Sequence, residues 1–423
     1  MTTTNSDDER GAFRDVPYMG VIWVVAEAMK LGFRNGHPDW CNLGQGQPEC
    51  GPMAGAPPRI ESIDIDPSDH AYGPLEGIPE LRERVASHYN RLFRKGKRSQ
   101  YGPQNVAIVQ GGRLGLTRAM AALSSCVVGY QVPDYTAYED MLTTHLARLS
   151  AVPVRARPED GFTVPPARFE RAAKDLGLSA FLLSNPTNPT GALLQDDALD
   201  GLVRVARKRR VTLLLDEFYS HFIYTADGKP GAGAVSGAQV VDDVERDPVV
   251  LIDGLTKSFR YPGWRVGWAV GPSAMVQSMA RTASAIDGGP SRIAQRAALL
   301  ALEPKRADQE TKALRKVFAA KRNVMLDALK RLGIRFAHEP LGTFYCWGSL
   351  AQLPAPFDDP DVFFRRALER KVMTVPGRFF DVDPGGYRRG PSPDASWMRF
   401  SFGPPMDNVK LGLGRLEQML KDG

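Results

Sequence analysis

Leu251-Ile252-Asp253-Gly254-Leu255-Thr256-Lys257 runs on through Ser258-Phe259-Arg260-Tyr261-Pro262-Gly263-Trp264-Arg265-Val266-Gly267. The first half reads as an apolar strand that delivers a lysine, and Arg265 follows that lysine by eight residues. An amine and a guanidinium so placed suit a cofactor with an aldehyde and a phosphate, the amine for the aldehyde and the guanidinium for the phosphate. Taken alone, the pair also suits a solvated surface. Its meaning therefore rests on the surrounding chain.

Outward from this stretch, between residues 75 and 300, helical patterns alternate with strand-sized apolar runs. The helical patterns lie at 80–92, 114–123, 137–147, 167–176 and 196–207, and the apolar runs at 106–109, 180–183, 211–215, 249–252 and 266–270. Runs apolar on both faces, separated by helices, predict an α/β fold with a mainly parallel central sheet covered by helices. From residue 303 the character changes. A long charged helix over 303–332 leads to an apolar run at 343–347 and a helix at 362–368. A Gly/Pro/Arg-rich loop at 377–393, a strand at 398–402 and a closing helix near 408–421 follow. This predicts a smaller α+β domain formed by both chain ends. The expected division is 1–47 for the N-terminal part of the small domain, 48–303 for the large cofactor-binding domain and 304–423 for the rest of the small domain. Residues 1–15 read as a flexible tail.

Bulk composition narrows the function. The chain has 423 residues, 43% hydrophobic and 24% charged, with a net charge of +6. These are ordinary values for a globular protein and do not point to nucleic acid. The basic runs at 91–98 and 204–210 read as solvated helix ends. Four cysteines without a CxxC spacing, and only six histidines, argue against a zinc site. Sparse cysteines and no signal-like N-terminus suggest a reduced, cytoplasmic protein. No apolar stretch approaches the roughly 20 residues needed to cross a bilayer.

Four further stretches carry chemistry. Gln110-Gly111-Gly112-Arg113 follows an apolar run and opens a helix, where backbone N–H groups and the helix dipole favour a phosphate. Pro133-Asp134-Tyr135-Thr136-Ala137-Tyr138 offers an aromatic ring for stacking or for edge packing. Ser184-Asn185-Pro186-Thr187-Asn188-Pro189-Thr190-Gly191 is a stiffened loop whose asparagine amide suits a phenolate-like oxygen. Leu213-Leu214-Leu215-Asp216-Glu217-Phe218-Tyr219 ends an apolar strand on a carboxylate, which calls for a positive partner or a helix cap.

The order of these stretches resembles the fold-type I pyridoxal-phosphate enzymes of the class I/II aminotransferase family. The likeness is strongest at 185–191, 216–219 and 256–267, and it extends to Leu43-Gly44-Gln45-Gly46-Gln47-Pro48, Tyr72-Gly73-Pro74 and Arg399-Phe400-Ser401-Phe402. The resemblance implies pyridoxal 5'-phosphate as cofactor and Lys257 as the catalytic residue, which forms the internal aldimine and moves the substrate proton. Asp216 is implied at the pyridine nitrogen, Asn188 and Tyr219 at the ring oxygen, and Tyr135 stacked on the ring. Arg265 is implied at the phosphate, with Gly111, Gly112, Arg113 and Thr256 in support. Tyr72 is implied to reach the phosphate of a second subunit, hence a homodimer with shared active sites. Arg399 is implied to grip a substrate α-carboxylate, with Gly46 and Asn188 nearby. Gly254 departs from the family, whose members usually carry a serine there. Arg113 reads either as part of the phosphate cup or as a solvent-facing side chain.

The implied activity is transfer of the amino group of an α-amino acid to a 2-oxo acid. The same residues serve elimination, cyclisation or oxidation of an amino acid. A cofactor-binding regulator is the third reading, disfavoured because the glycine loop begins near residue 43, leaving no room for a winged helix-turn-helix. The stretch 283–289 holds no second arginine for a dicarboxylate, although Arg281 and Arg292 flank it. Tyr18, Met19 and Trp23 are candidates for an apolar or aromatic pocket wall, with core packing the favoured reading for Trp23.

Overall fold

A computed structural model of the chain describes residues 20–422, together with Ala12, Phe13, Val16 and Tyr18. Apart from Ala12 and Phe13, the expected tail at 1–15 lies outside these residues, and so does Met19.

Helix α1 (Gly20–Lys30) and the two-residue strand β1 (Cys41–Asn42) precede α2 (Pro79–Phe93). Alternation then sets in: β2 (Val106–Val109), α3 (Gly112–Ala122), β3 (Cys126–Val132), α4 (Ala137–Thr143), β4 (Leu149–Arg155), α5 (Pro166–Asp175), β5 (Ala180–Ser184), α6 (Asp196–Arg209) and β6 (Thr212–Asp216). Strands β7 (Val249–Gly254) and β8 (Gly267–Val270) flank the lysine stretch, and α7 (Ser273–Ile286), α8 (Arg292–Ala301) and the long α9 (Pro304–Arg331) follow. The last part holds β9 (Tyr345–Ser349), α10 (Pro360–Glu369), β10 (Val372–Met373), β11 (Val375–Pro376), β12 (Trp397–Ser401) and α11 (Met406–Asp422).

Seven strands form the central sheet in the order β2-β8-β7-β6-β5-β3-β4. Every pairing is parallel except those of β8, which runs antiparallel to both neighbours. The run Leu213–Leu215 shows why this sheet is covered on both faces. Leu213 and Leu215 join one buried cluster and Leu214 the other, as the two-residue period of a strand dictates. A smaller antiparallel sheet, β11-β12-β9, and the parallel pair β1-β10 stand apart from it, built from both chain ends.

Two strands escape the reading of apolar runs. β3 is interrupted by Gly129 and Gln131. β4 is a half-exposed edge containing Pro153, with unpaired backbone on its outer side. The basic runs also differ from expectation. Arg94 is 0% exposed and donates to the carbonyls of Ser99, Ala238 and Val241. Arg207 pairs with Asp247 at 2.5 Å, and Arg209 with Glu170 at 2.7 Å. These acidic and carbonyl partners come from distant segments, so a local charge count misses them.

Candidate active site

In an open parallel sheet, ligands gather at the carboxyl ends of the strands. Here Ser184 ends β5 and pairs in register with Asp216, which ends β6, and Asp216 pairs with Ile252 of β7. The ends of β5 and β6 open onto a cavity of about 580 Å³ lined by Gly46, Gly112, Arg113, Tyr135, Asn188, Asp216, Tyr219, Thr256, Lys257, Arg265 and Arg399, among others. Eleven of the thirteen residues singled out in the sequence thus meet in one place. Gly111 lies directly behind the wall: a Cβ there would come within 2.4 Å of Arg265 Nη2. Tyr72 does not join them and is 98% exposed.

Lys257 stands at the centre. Its amine donates to the carbonyl of Gly46. Burial is the main force that brings its pKa down to about 7; nearby Arg399 adds to the effect, and Asp216 opposes it. Asp216 is buried, and the loss of water pushes its carboxyl up to about 6. Tyr138 Oη donates to Asp216 Oδ2 at 2.9 Å. This tyrosine was quoted in the sequence without a role, because its target lies 78 residues away.

Asp134 organises the neighbouring corner. It accepts from Ser184 Oγ at 2.5 Å, Ser184 N at 3.0 Å and Tyr135 N at 2.7 Å. Ser184 Oγ in turn accepts from the Asn188 N–H at 3.1 Å. The asparagine loop is closed on itself by Asn185, which exchanges two bonds with Leu194 at 2.8 and 2.9 Å. Across the cavity, Tyr219 and Tyr345 share a hydroxyl–hydroxyl bond of 2.8 Å.

Arg399, on β12 of the small sheet, is 1% exposed. It donates to Asn188 Oδ1 at 2.8 Å and to the Gly44 carbonyl at 2.7 Å, and its guanidinium lies 4.1 Å above the Tyr345 ring. Its Nε has no partner among the described residues. The apolar part of the wall differs from expectation. Val21, Ile22 and Val25 of α1 face the cavity, whereas Trp23 packs on Phe364 and Phe379, and Tyr18 is exposed outside it. A helical period places residues 21, 22 and 25 on one side and 23 on another.

The chain matches a family model described as aminotransferase class I and II over residues 38–416. The chain belongs to this aminotransferase family. A probable aspartate/prephenate aminotransferase of Thermus aquaticus is 30% identical over 355 residues, covering 83% of this chain and 84% of that protein. An aspartate aminotransferase of Sulfurisphaera tokodaii is 26% identical over 393 residues, 90% of this chain and 89% of its own. A solved aminotransferase from Mycobacterium tuberculosis shares the fold at a TM-score of 0.78 and 25% identity, over 96% of this chain and 98% of that one.

This aminotransferase transfers amino groups with pyridoxal phosphate, and its cavity has the groups such a cofactor needs. Thr256 Oγ1 is buried without a partner among the described residues, at the end where Arg265 and the N-terminus of α3 converge, and a phosphate oxygen would satisfy it. Gly254 also finds its reason. A Cβ there would sit 2.6 Å from Gly267 Cα and 2.6 Å from the Val266 carbonyl, so a serine does not fit between β7 and β8. Among the described residues no cluster of His, Cys, Asp and Glu suits a metal, and no helix is long and apolar enough to cross a membrane.

Proposed function

We propose that this aminotransferase exchanges the amino group of an α-amino acid with a 2-oxo acid through Lys257. The observation that carries the reading is the meeting of the Lys257 amine, the buried Asp216 carboxylate and the buried Arg399 guanidinium in one cavity. Pyridoxal phosphate, when bound, supplies an aldehyde for amine exchange and a ring that withdraws electrons from the substrate.

The chain's own groups do the rest. Lys257 holds the aldehyde end and, with a pKa of about 7, both gives and takes the Cα proton at neutral pH. Asp216 keeps a positive ring nitrogen beside it, oriented by Tyr138. Asn188 and Tyr219 donate to the ring oxygen, and Tyr135 covers one ring face. Arg265, Gly111, Gly112 and Thr256 hold the phosphate. Arg399 grips the substrate carboxylate in a planar fork, with Gly46 and Asn188 beside it.

Tyr72, exposed on its own subunit, reaches the phosphate of a partner in a homodimer with shared sites. Asp69 ties down Arg292 at 3.3 Å, close to the Tyr72–Gly73 backbone. The division into 1–47, 48–303 and 304–423, a cytoplasmic location and a biosynthetic role in amino-acid metabolism belong to the same proposal.

A spectral titration of the holoenzyme tests it. Amino acids are added one at a time, with aspartate first, as the relatives' names suggest. The expected result is conversion of the aldehyde form to the amine form with release of one 2-oxo acid. Ammonia or peroxide in place of an aminated acceptor would overturn transamination.

A further inference from the structure

Arg113 has no task in the scheme above. It stands on the first turn of α3 with an exposed side chain that lines the cavity. Two other arginines already serve the anionic ends: Arg265 lies against Gly111, and Arg399 is bound to Asn188 and Gly44. Arg113 instead turns to a neighbour. Its Nε donates to the hydroxyl of Tyr135 at 3.1 Å, and among the described residues it forms no ion pair with a carboxylate. The phenol oxygen is also the main influence that holds the Arg113 pKa above the usual guanidinium value.

A tyrosine side chain swings about its first torsion between staggered wells unless something holds its tip, whereas rotation about the second leaves the hydroxyl in place. The Tyr135 main chain is fixed by Asp134, and one side of its ring meets Tyr138 nearly edge-on, with centroids 5.6 Å apart and planes at 79°. The hydroxyl tip is the remaining free end, and Arg113 holds it with a charge-assisted bond.

We infer that Arg113 is a positioning residue that tethers the tip of the Tyr135 side chain by its hydroxyl and stops it swinging away, so that the cavity keeps an aromatic ring at one place for a flat heteroaromatic ring. This rests on the proposal that Tyr135 stacks on the cofactor. It separates Arg113 from both a phosphate contact and an idle surface charge.

The holoenzyme and the variants Arg113→Met, Arg113→Lys, Tyr135→Phe, Tyr135→Ala and Arg113→Met/Tyr135→Phe test it. Two readouts are the dissociation constant of pyridoxal phosphate and the visible circular dichroism of the bound cofactor, which reports its asymmetric surroundings. Arg113→Met and Tyr135→Phe should each raise the dissociation constant about 5- to 10-fold and weaken the dichroic band. Because they break the same bond, the double variant should match either single within about twofold. Arg113→Lys, which keeps a donor, should fall between wild type and Arg113→Met.

A double variant whose loss is the product of the two single losses would overturn the inference, since Arg113 would then act on the phosphate independently. So would an Arg113→Met that raises KM for dicarboxylates alone, with the dichroic band intact. If Tyr135→Ala weakens binding and Tyr135→Phe does not, the tether is wrong and the stacking stands. If neither weakens it, the stacking reading itself has failed.

Discussion

Lys257 is a lysine that folding keeps close to losing its proton. Its pKa falls from the ordinary 10.5 to about 7, chiefly because the amine leaves water. Between those two values the unfolded chain binds the proton that the folded apoenzyme has released. This group's contribution to apoenzyme stability therefore rises with pH from 7 to 10.5, and below 7 its penalty is constant. Methionine at this position carries no proton and fills a similar space. Lys257→Met should thus make the apoenzyme more stable by about 2 kcal/mol at pH 6.5, a figure reduced for the partial solvent contact of the side chain. The gain should fade as pH approaches 10. Urea midpoints of both apoproteins at the two pH values check this, and an equal gap at both would refute it. The same penalty explains how an amine serves as a base at neutral pH: the lost solvation is stability spent on reactivity.

At the scale of elements, the strand ends decide the site. β5 and β6 stop in register, and each delivers a polar residue, Ser184 and Asp216, at the same edge, while β7 runs on two residues past Asp216 toward Lys257. The chain leaves β7 at Gly254 and returns in β8 at Gly267, where the two glycines face each other. The connection between them carries both Lys257 and Arg265 into the cavity. Restoring the family's usual serine should fail here. Gly254→Ser is expected to destabilise the protein by about 1–3 kcal/mol through overpacking and to leave cofactor affinity no better than before. Thermal melting and a cofactor titration decide the point; tighter binding without loss of stability would contradict it. Long-range ion pairs complete the arrangement. Glu310 on α9 takes Arg260 at 2.6 Å, three residues after Lys257, and both side chains are nearly inaccessible. Such a pair holds its segments in register, since either partner alone would leave a buried charge.

For the molecule as a whole, the cavity joins remote parts of the chain. Arg399 on the small sheet bonds to Gly44 near the N-terminal end and to Asn188 in the loop that follows β5 of the large sheet. Tyr72 has no such place in its own subunit. If it completes the partner's phosphate site, Tyr72→Ala should keep the dimeric mass in solution and raise the dissociation constant for pyridoxal phosphate about tenfold. Sedimentation and cofactor titration on the same samples check both halves. Unchanged affinity would remove Tyr72 from the site.

Much of this protein is legible in one dimension because its signals are local. Leu213–Leu215 is apolar at every position, so it declares a strand covered on both faces, and Asp216 after it declares a carboxylate at the strand's end. Lys257 and Arg265 share one connection, between β7 and β8. The cofactor and the α/β sheet follow from such stretches and their order. Tertiary structure alone decided the rest. It gave Tyr138 to Asp216, Arg113 to Tyr135 and Arg94 to the carbonyls of Ala238 and Val241. It also brought Val21, Ile22 and Val25 to the cavity in place of Tyr18, and closed the gap that excludes a serine at Gly254. The physical reason is the same in each case. Periodicity and backbone preference act over a few residues, whereas a side chain's partner depends on strand order, register and helix rotation, which only the assembled packing of the whole chain sets.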